Sequence, residues 1–256
     1  MLLHGVGTSS GEWSWVLPDL ARDHLVFAID LPGYDGSYEP PDYSPSFTAS
    51  FVNSFLDAVG VERAVVVGNS FGGLVALHLA LSAPERVSAL VLSDSAGLGR
   101  AVNPGLVALS SPGVGGLTKS LAKTRIGAAQ RALQRALLLF SRPWRIPWKW
   151  VKDQYKLAQL PNFTDATLAN LRHTVSSTGQ REVLFDRLPQ LQMPTLVLWG
   201  IEDRVIPYSH AKDAIALAHD CYLELIPNCG HLPHVEHPKR FVSTVEEFLS
   251  EVAHYE

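Results

Sequence analysis

The stretch VVVGNSFGGLVAL, Val65 to Leu77, sets one serine among glycines, after a β-branched run and before a run of helix formers. Three successive valines suit a strand buried on both faces. The apolar residues after Gly73 suit a helix. Gly68-Asn69-Ser70-Phe71-Gly72 has the form G-x-S-x-G, in which small flanking residues let the chain turn sharply and lift the hydroxyl clear of the sheet. Gly73 relieves crowding where the new helix passes a neighbouring element. The corner therefore presents a nucleophile, and the helix N-terminus behind it favours negative charge developing nearby.

Outward from this corner, short β-branched runs alternate with helical patterns. The runs are Met1 to Gly5, Leu25 to Asp30, Ala64 to Ser70, Val87 to Ser95, Thr195 to Gly200 and Cys221 to Pro227. Ser46 to Val59, Phe71 to Ala83 and Lys239 to Val252 carry apolar residues at helical spacing. Such alternation predicts an α/β fold, a mostly parallel sheet flanked by helices. It lapses once, from Leu98 to about Met193, where helical patterns run without a convincing strand. The expected organisation is a core of residues 1–97 and 194–256, with residues 98–193 inserted as a helical cap.

A serine hydroxyl is a weak nucleophile until a base takes its proton, so a histidine and an orienting carboxylate are expected downstream. LWGIEDRVIP places Asp203 just past one strand, and PNCGHLPHVEHP places His231 just past the last. The order Ser, Asp, His and three strand-end loops agree with one converging site. Glu202 is a rival acid expected to face solvent, and Asp94, in LSDSAG, is a second rival at a strand end. His231, His234 and His237 are spaced i, i+3, i+6 across Pro233, which does not suit zinc. His234 and His237 read as packing or cap residues, and no metal or cofactor is expected. The glycine-rich loop in LLHGVGTSSGEW supplies a backbone donor for an oxyanion, and the Val6 and Phe71 N–H groups are the candidates.

In LLHGVG, DLPGYDGS, VVVGNSFGG, LWGIEDRVIP and GHLPHVEHP the chain resembles α/β-hydrolase-fold serine hydrolases with a helical cap. The resemblance implies Ser70 as nucleophile, His231 as general base and then acid, Asp203 as orienting carboxylate, and Val6 and Phe71 as oxyanion donors. It implies cleavage of a carboxylic ester of a small, partly apolar substrate. GNSFGG is also similar to the elbow of hydrolases that cleave carbon–carbon bonds in aromatic ring-fission products. Those usually continue the oxyanion loop as GxGPG, where this chain reads GVGTSSG. Relatives with an aspartate nucleophile are disfavoured by Ser70, and a slow-turnover small-molecule receptor is a third reading. Relatives generally carry an antiparallel hairpin ahead of LLHG, which is missing here, so the strand Leu25 to Asp30 is expected at a sheet edge, open to dimerisation.

The net charge of -4 and pI near 6.2 give no reason to expect nucleic acid. Two cysteines bracket the extended run CYLELIPNC, too far apart to bridge at roughly 3.3 Å per residue, so a reducing, cytoplasmic setting is expected. The charge is uneven. Lys119 to Lys156 holds ten basic residues and one acid, Asp153. On a helix, Arg131, Arg135 and Arg142 share one face, and Leu133, Leu137 and Phe140 point the other way. The expectation is an apolar stripe packed over the site with the arginines in solvent. The basic surface, with the three tryptophans of RPWRIPWKWVK, adds anionic lipid as a second partner beside the small-molecule substrate.

Overall fold

The computed structural model describes residues 1–35, 37–111, 113–114, 124–217 and 220–253. Lys119 and Lys123 lie outside them. The strands β1 (Leu2–Leu3), β2 (Ala28–Ile29), β3 (Ala64–Asn69) and β4 (Val87–Ser93) precede the inserted segment, and β7 (Thr195–Gly200) and β8 (Cys221–Ile226) follow it. These six form one sheet in the order β2-β1-β3-β4-β7-β8, every pair parallel. β2 stands at one edge.

Helices α1 (Pro45–Ala58), α2 (Phe71–Ser82), α7 (Ser209–Ile215) and α8 (Pro238–Ala253) belong to the core. α1 starts where Ser44 Oγ accepts the Phe47 N–H and Pro45 fixes the first turn. The strands divide their side chains between two apolar clusters at a period of two. Leu3, Val66, Leu90 and Leu92 join Val52 and Leu74 on one side, and Leu2, Val67, Val91 and Leu196 join Phe241 and Val245 on the other. A sheet covered on both faces needs continuous apolar strands, which is why valine and leucine runs marked them.

Between β4 and β7 lie α3 (Pro104–Ser110), α4 (Arg125–Leu139), α5 (Trp148–Leu157) and α6 (Phe163–Thr174). The segment also holds strands where none was expected: β5 (Val175–Ser176) and β6 (Gly179–Gln180) pair antiparallel. They are two residues each, below the length at which alternation can be read. Among the described residues no helix is long and apolar enough to cross a membrane.

α4 reverses the expected orientation. Ala128, Ala132, Ala136 and Leu139 are buried, whereas Ile126, Leu133 and Leu137 are 82%, 59% and 49% exposed. Arg131 and Arg135 turn inward to line a cavity. The guanidinium of Arg131 finds its polar partners there, in the Gly7 carbonyl at 2.9 Å and Gln154 Oε1 at 3.3 Å, with the Phe163 ring beneath it. A face of small alanines packs closely without Leu133 and Leu137. Arg142 lies beyond the end of α4, and Phe140 is buried against Trp150. Trp144 and Trp148 are exposed, but Trp150 is buried, its Nε1–H donating to Glu12 Oε1 at 3.0 Å.

Candidate active site

β3 ends at Asn69 and α2 begins at Phe71, leaving Ser70 alone at the corner with φ 55° and ψ -116°. That left-handed backbone costs a non-glycine residue about 1–3 kcal/mol. Only glycines fit around it. A Cβ on Gly68 would lie 2.2 Å from the Gly72 carbonyl oxygen, and one on Gly72 would lie 2.2 Å from that of Leu3. Strand, corner and helix thus pass within backbone contact of β1.

Ser70, Phe71, Val6 and His231 line one cavity of about 650 Å³, roofed by residues of α3, α4 and α6. His231 Nδ1 lies 2.7 Å from Asp203 Oδ2, with both side chains buried. The other Asp203 oxygen accepts the N–H groups of Val205 at 2.7 Å and Ile206 at 3.3 Å, so the carboxylate is held from both ends. With Nδ1–H donating to Asp203, Nε2 is the nitrogen left to take a proton. Neither the Val6 nor the Phe71 N–H is taken by a loop or side-chain acceptor among the described residues.

The rival acids have other partners. Asp94 is fully buried, also in a left-handed conformation, and accepts the Gly200 N–H at 2.9 Å and the Ser93 hydroxyl at 3.0 Å. Burial, and after it the Asp203 carboxylate, hold its carboxyl well above the usual range. Asp94, Asp203 and His231 come within 4.8 Å of one another, but their atoms are engaged with each other and with backbone N–H groups. A protonated, hydrogen-bonded Asp94 fits a neutral neighbour of Asp203 better than a metal ligand. Glu202 is exposed, yet its carboxylate accepts the Cys229 N–H at 3.0 Å and steadies the loop that carries His231. His234 is buried, stacked on Trp13 and 3.8 Å from Glu12, and His237 reaches the Asn228 carbonyl. The three histidines do not converge. Both cysteines are free, and burial raises the Cys221 thiol to about 11.

Several contributors escaped the sequence reading. Asn69 Nδ2 donates to the carbonyls of Ser93 at 3.2 Å and His231 at 3.1 Å, tying the corner to the histidine loop. His4 shapes the oxyanion loop, its Nδ1 2.8 Å from the Gly5 carbonyl and its Nε2 accepting the Leu31 N–H at 3.0 Å. Burial lowers its pKa, in keeping with a neutral ring. Glu236 accepts the Gly230 and Ser141 N–H groups, and the His231 N–H donates to the Leu139 carbonyl at 2.8 Å. The end of α4 is therefore bonded directly to the histidine's backbone. Burial, with Arg135 beside it, brings the Arg131 guanidinium down to about 9. Motif position could have flagged Asn69 and His4, but nothing in the spacing signals the inward arginines.

Comparison with known proteins agrees with this architecture. The α/β-hydrolase fold family matches residues 1–238. A 2-hydroxymuconate semialdehyde hydrolase of Pseudomonas sp. (strain CF600) is 32% identical over 260 residues, covering 98% of this chain and 86% of that protein. A meta-cleavage product hydrolase from Pseudomonas fluorescens IP01 superposes with a TM-score of 0.81 at 25% identity, covering 98% of this chain and 90% of the other. A thermophilic esterase from Thermogutta terrifontis superposes at 0.80 with 23% identity, covering 98% and 89%, a likeness of fold alone.

Proposed function

The chain belongs to the α/β-hydrolase family and is a hydrolase of that fold, and from this premise we propose that it cleaves a carboxylic ester of a small, partly apolar substrate through an acyl-enzyme on Ser70. The observation that carries the reading is that His231 lines the same cavity as Ser70 while its Nδ1 lies 2.7 Å from Asp203 Oδ2. His231 Nε2 takes the Ser70 proton as Oγ bonds to the substrate carbonyl carbon. The carbonyl oxygen becomes an oxyanion, received by the Val6 and Phe71 N–H groups. When the carbonyl re-forms, the C–O bond to the leaving group breaks and His231 returns the proton to the departing alkoxide. Water then enters by the same route and frees the acid and Ser70. Asp203 stays ionised, holding the imidazole in the tautomer that each transfer needs.

A second reading is hydrolysis of a carbon–carbon bond in an aromatic ring-fission product, and the relatives just named for such substrates favour it. Nitrophenyl esters of graded acyl length, assayed beside a ring-fission dienoate, separate the two. A stoichiometric nitrophenol burst followed by turnover, absent in Ser70→Ala of native circular dichroism, is expected. A kcat/KM on the dienoate above that on every ester would replace the first reading with the second. A burst without turnover would instead mark a receptor.

A further inference from the structure

We propose that the cavity over Ser70 takes substrates bearing a carboxylate, and that Arg135, with Arg131 beside it, receives that group. This rests on the hydrolase reading and names its substrate class.

Among the described residues Arg135 lacks partners. It is half-buried in the cavity lining, its Nε is buried without an acceptor, and among the described residues it makes no hydrogen bond or ion pair. A buried guanidinium normally has its donors filled, because an unpaired charge away from water is costly. Arg131 is different. It is committed to the Gly7 carbonyl, to Gln154 and to the Phe163 ring. The two meet at one point: a Cβ built on Gly7 would lie 3.0 Å from Arg131 Nη2 and 3.0 Å from Arg135 Nη1. Gly7 also holds φ at 71°, so glycine is required there twice over.

Charge balance selects the ligand. Among the described residues, two guanidinium groups and Glu12 are the charged side chains of the cavity lining, apart from the His231 site. Glu12 gives one oxygen to Trp150 and turns the other toward His234, and it forms no ion pair with either arginine among the described residues. One positive charge is left over. A singly charged carboxylate matches that surplus and the planar fork of a guanidinium, whereas a phosphate dianion would overfill it. The α6 wall is Thr164, Thr167, Leu168, Leu171 and Thr174, and it adds no cation among the described residues. Position limits the substrate as well. Gly7 follows Val6, so a carboxylate on Arg135 sits close to the carbonyl that Ser70 would attack, as in a short dicarboxylic half-ester.

The test compares mono-4-nitrophenyl glutarate with 4-nitrophenyl hexanoate. Wild type should favour the glutarate ester by at least about tenfold in kcat/KM, the scale of one charged hydrogen bond. Arg135→Gln should collapse that ratio, and Arg135→Lys, which keeps the charge without the fork, should hold part of it. Binding is read separately by titrating the singly charged monomethyl glutarate, inorganic phosphate and neutral glutaramide into Ser70→Ala. Monomethyl glutarate should bind best, and the added Arg135→Gln change should abolish its heat. Equal rates on the two esters with no heat from monomethyl glutarate would overturn the carboxylate site and leave the hydrolase reading intact. Monomethyl glutarate binding through Arg135 without turnover of either ester would do the reverse. Tighter binding of phosphate than monomethyl glutarate, or monomethyl glutarate binding unchanged in the Arg135→Gln background, would also overturn the proposal.

Discussion

The corner at Ser70 and the helix α4 were both read from side-chain pattern, and they came out oppositely. At the corner, strand, serine and helix lie where the glycines predicted. On α4 the helix is present, but its faces are exchanged: Leu133 and Leu137 outside, Arg131 and Arg135 inside. The corner is dictated by backbone sterics, since a Cβ at Gly68 would strike the Gly72 backbone and one at Gly72 would strike β1 at Leu3. α4 obeys a weaker rule. Which way an amphipathic helix turns depends on what its neighbours offer, and here they offer a carbonyl, an amide and an aromatic ring to a cation. Local covalent geometry can be read from a short stretch, whereas the facing of a helix is a property of its surroundings.

The sharpest way to break this contrast lies in the core. Asp203→Asn should lower kcat by about 10⁴, because an amide on Nδ1 favours the wrong imidazole tautomer. Asp94→Asn should change kcat only several-fold, since Asp94 bonds Gly200 and Ser93 rather than His231. Steady-state kinetics on one ester decides it, and the reverse ranking would move the acid to β4.

Smaller effects probe α4. Ala132→Leu should destabilise by about 1–3 kcal/mol through overpacking, and Leu133→Ala should stay within about 0.5 kcal/mol. Urea unfolding measures both. If Leu133→Ala proved the costlier change, the leucines would face inward after all.

The subtlest test is the pH dependence of stability. The folded pKa of Asp94 is raised, so its contribution to stability is whole below its unfolded value of about 4 and is lost as pH climbs through the folded one. Asparagine carries no charge at any pH. The stability of Asp94→Asn relative to wild type should therefore rise as pH increases from about 4, as parallel denaturant titrations would register. A flat difference would mean that Asp94 is not neutral in the fold.

Legibility followed the same division. β3, β7 and β8 run Ala64–Asn69, Thr195–Gly200 and Cys221–Ile226, within a residue or so of their β-branched runs, because burial on both faces demands unbroken apolar sequence. β1 and β2 are only two residues long, and the paired part of each is shorter than its apolar run. Ser70, Asp203 and His231 could be singled out as candidates because each follows a strand whose end is visible in the chain. Asn69, His4 and Glu236 could not be given their partners, since those bonds join loops far apart in sequence. Arg135 was visible as a charge but not as an inward one.

Ser70 itself carries a consequence for how this protein can change. Its backbone sits where glycine would rest without strain, and the surrounding sheet and helix hold it there. Ser70→Gly would relax the corner, so durability and chemistry pull against each other at a single codon. A lineage selected only to survive heat would drift toward the relaxed corner and lose its hydroxyl on the way.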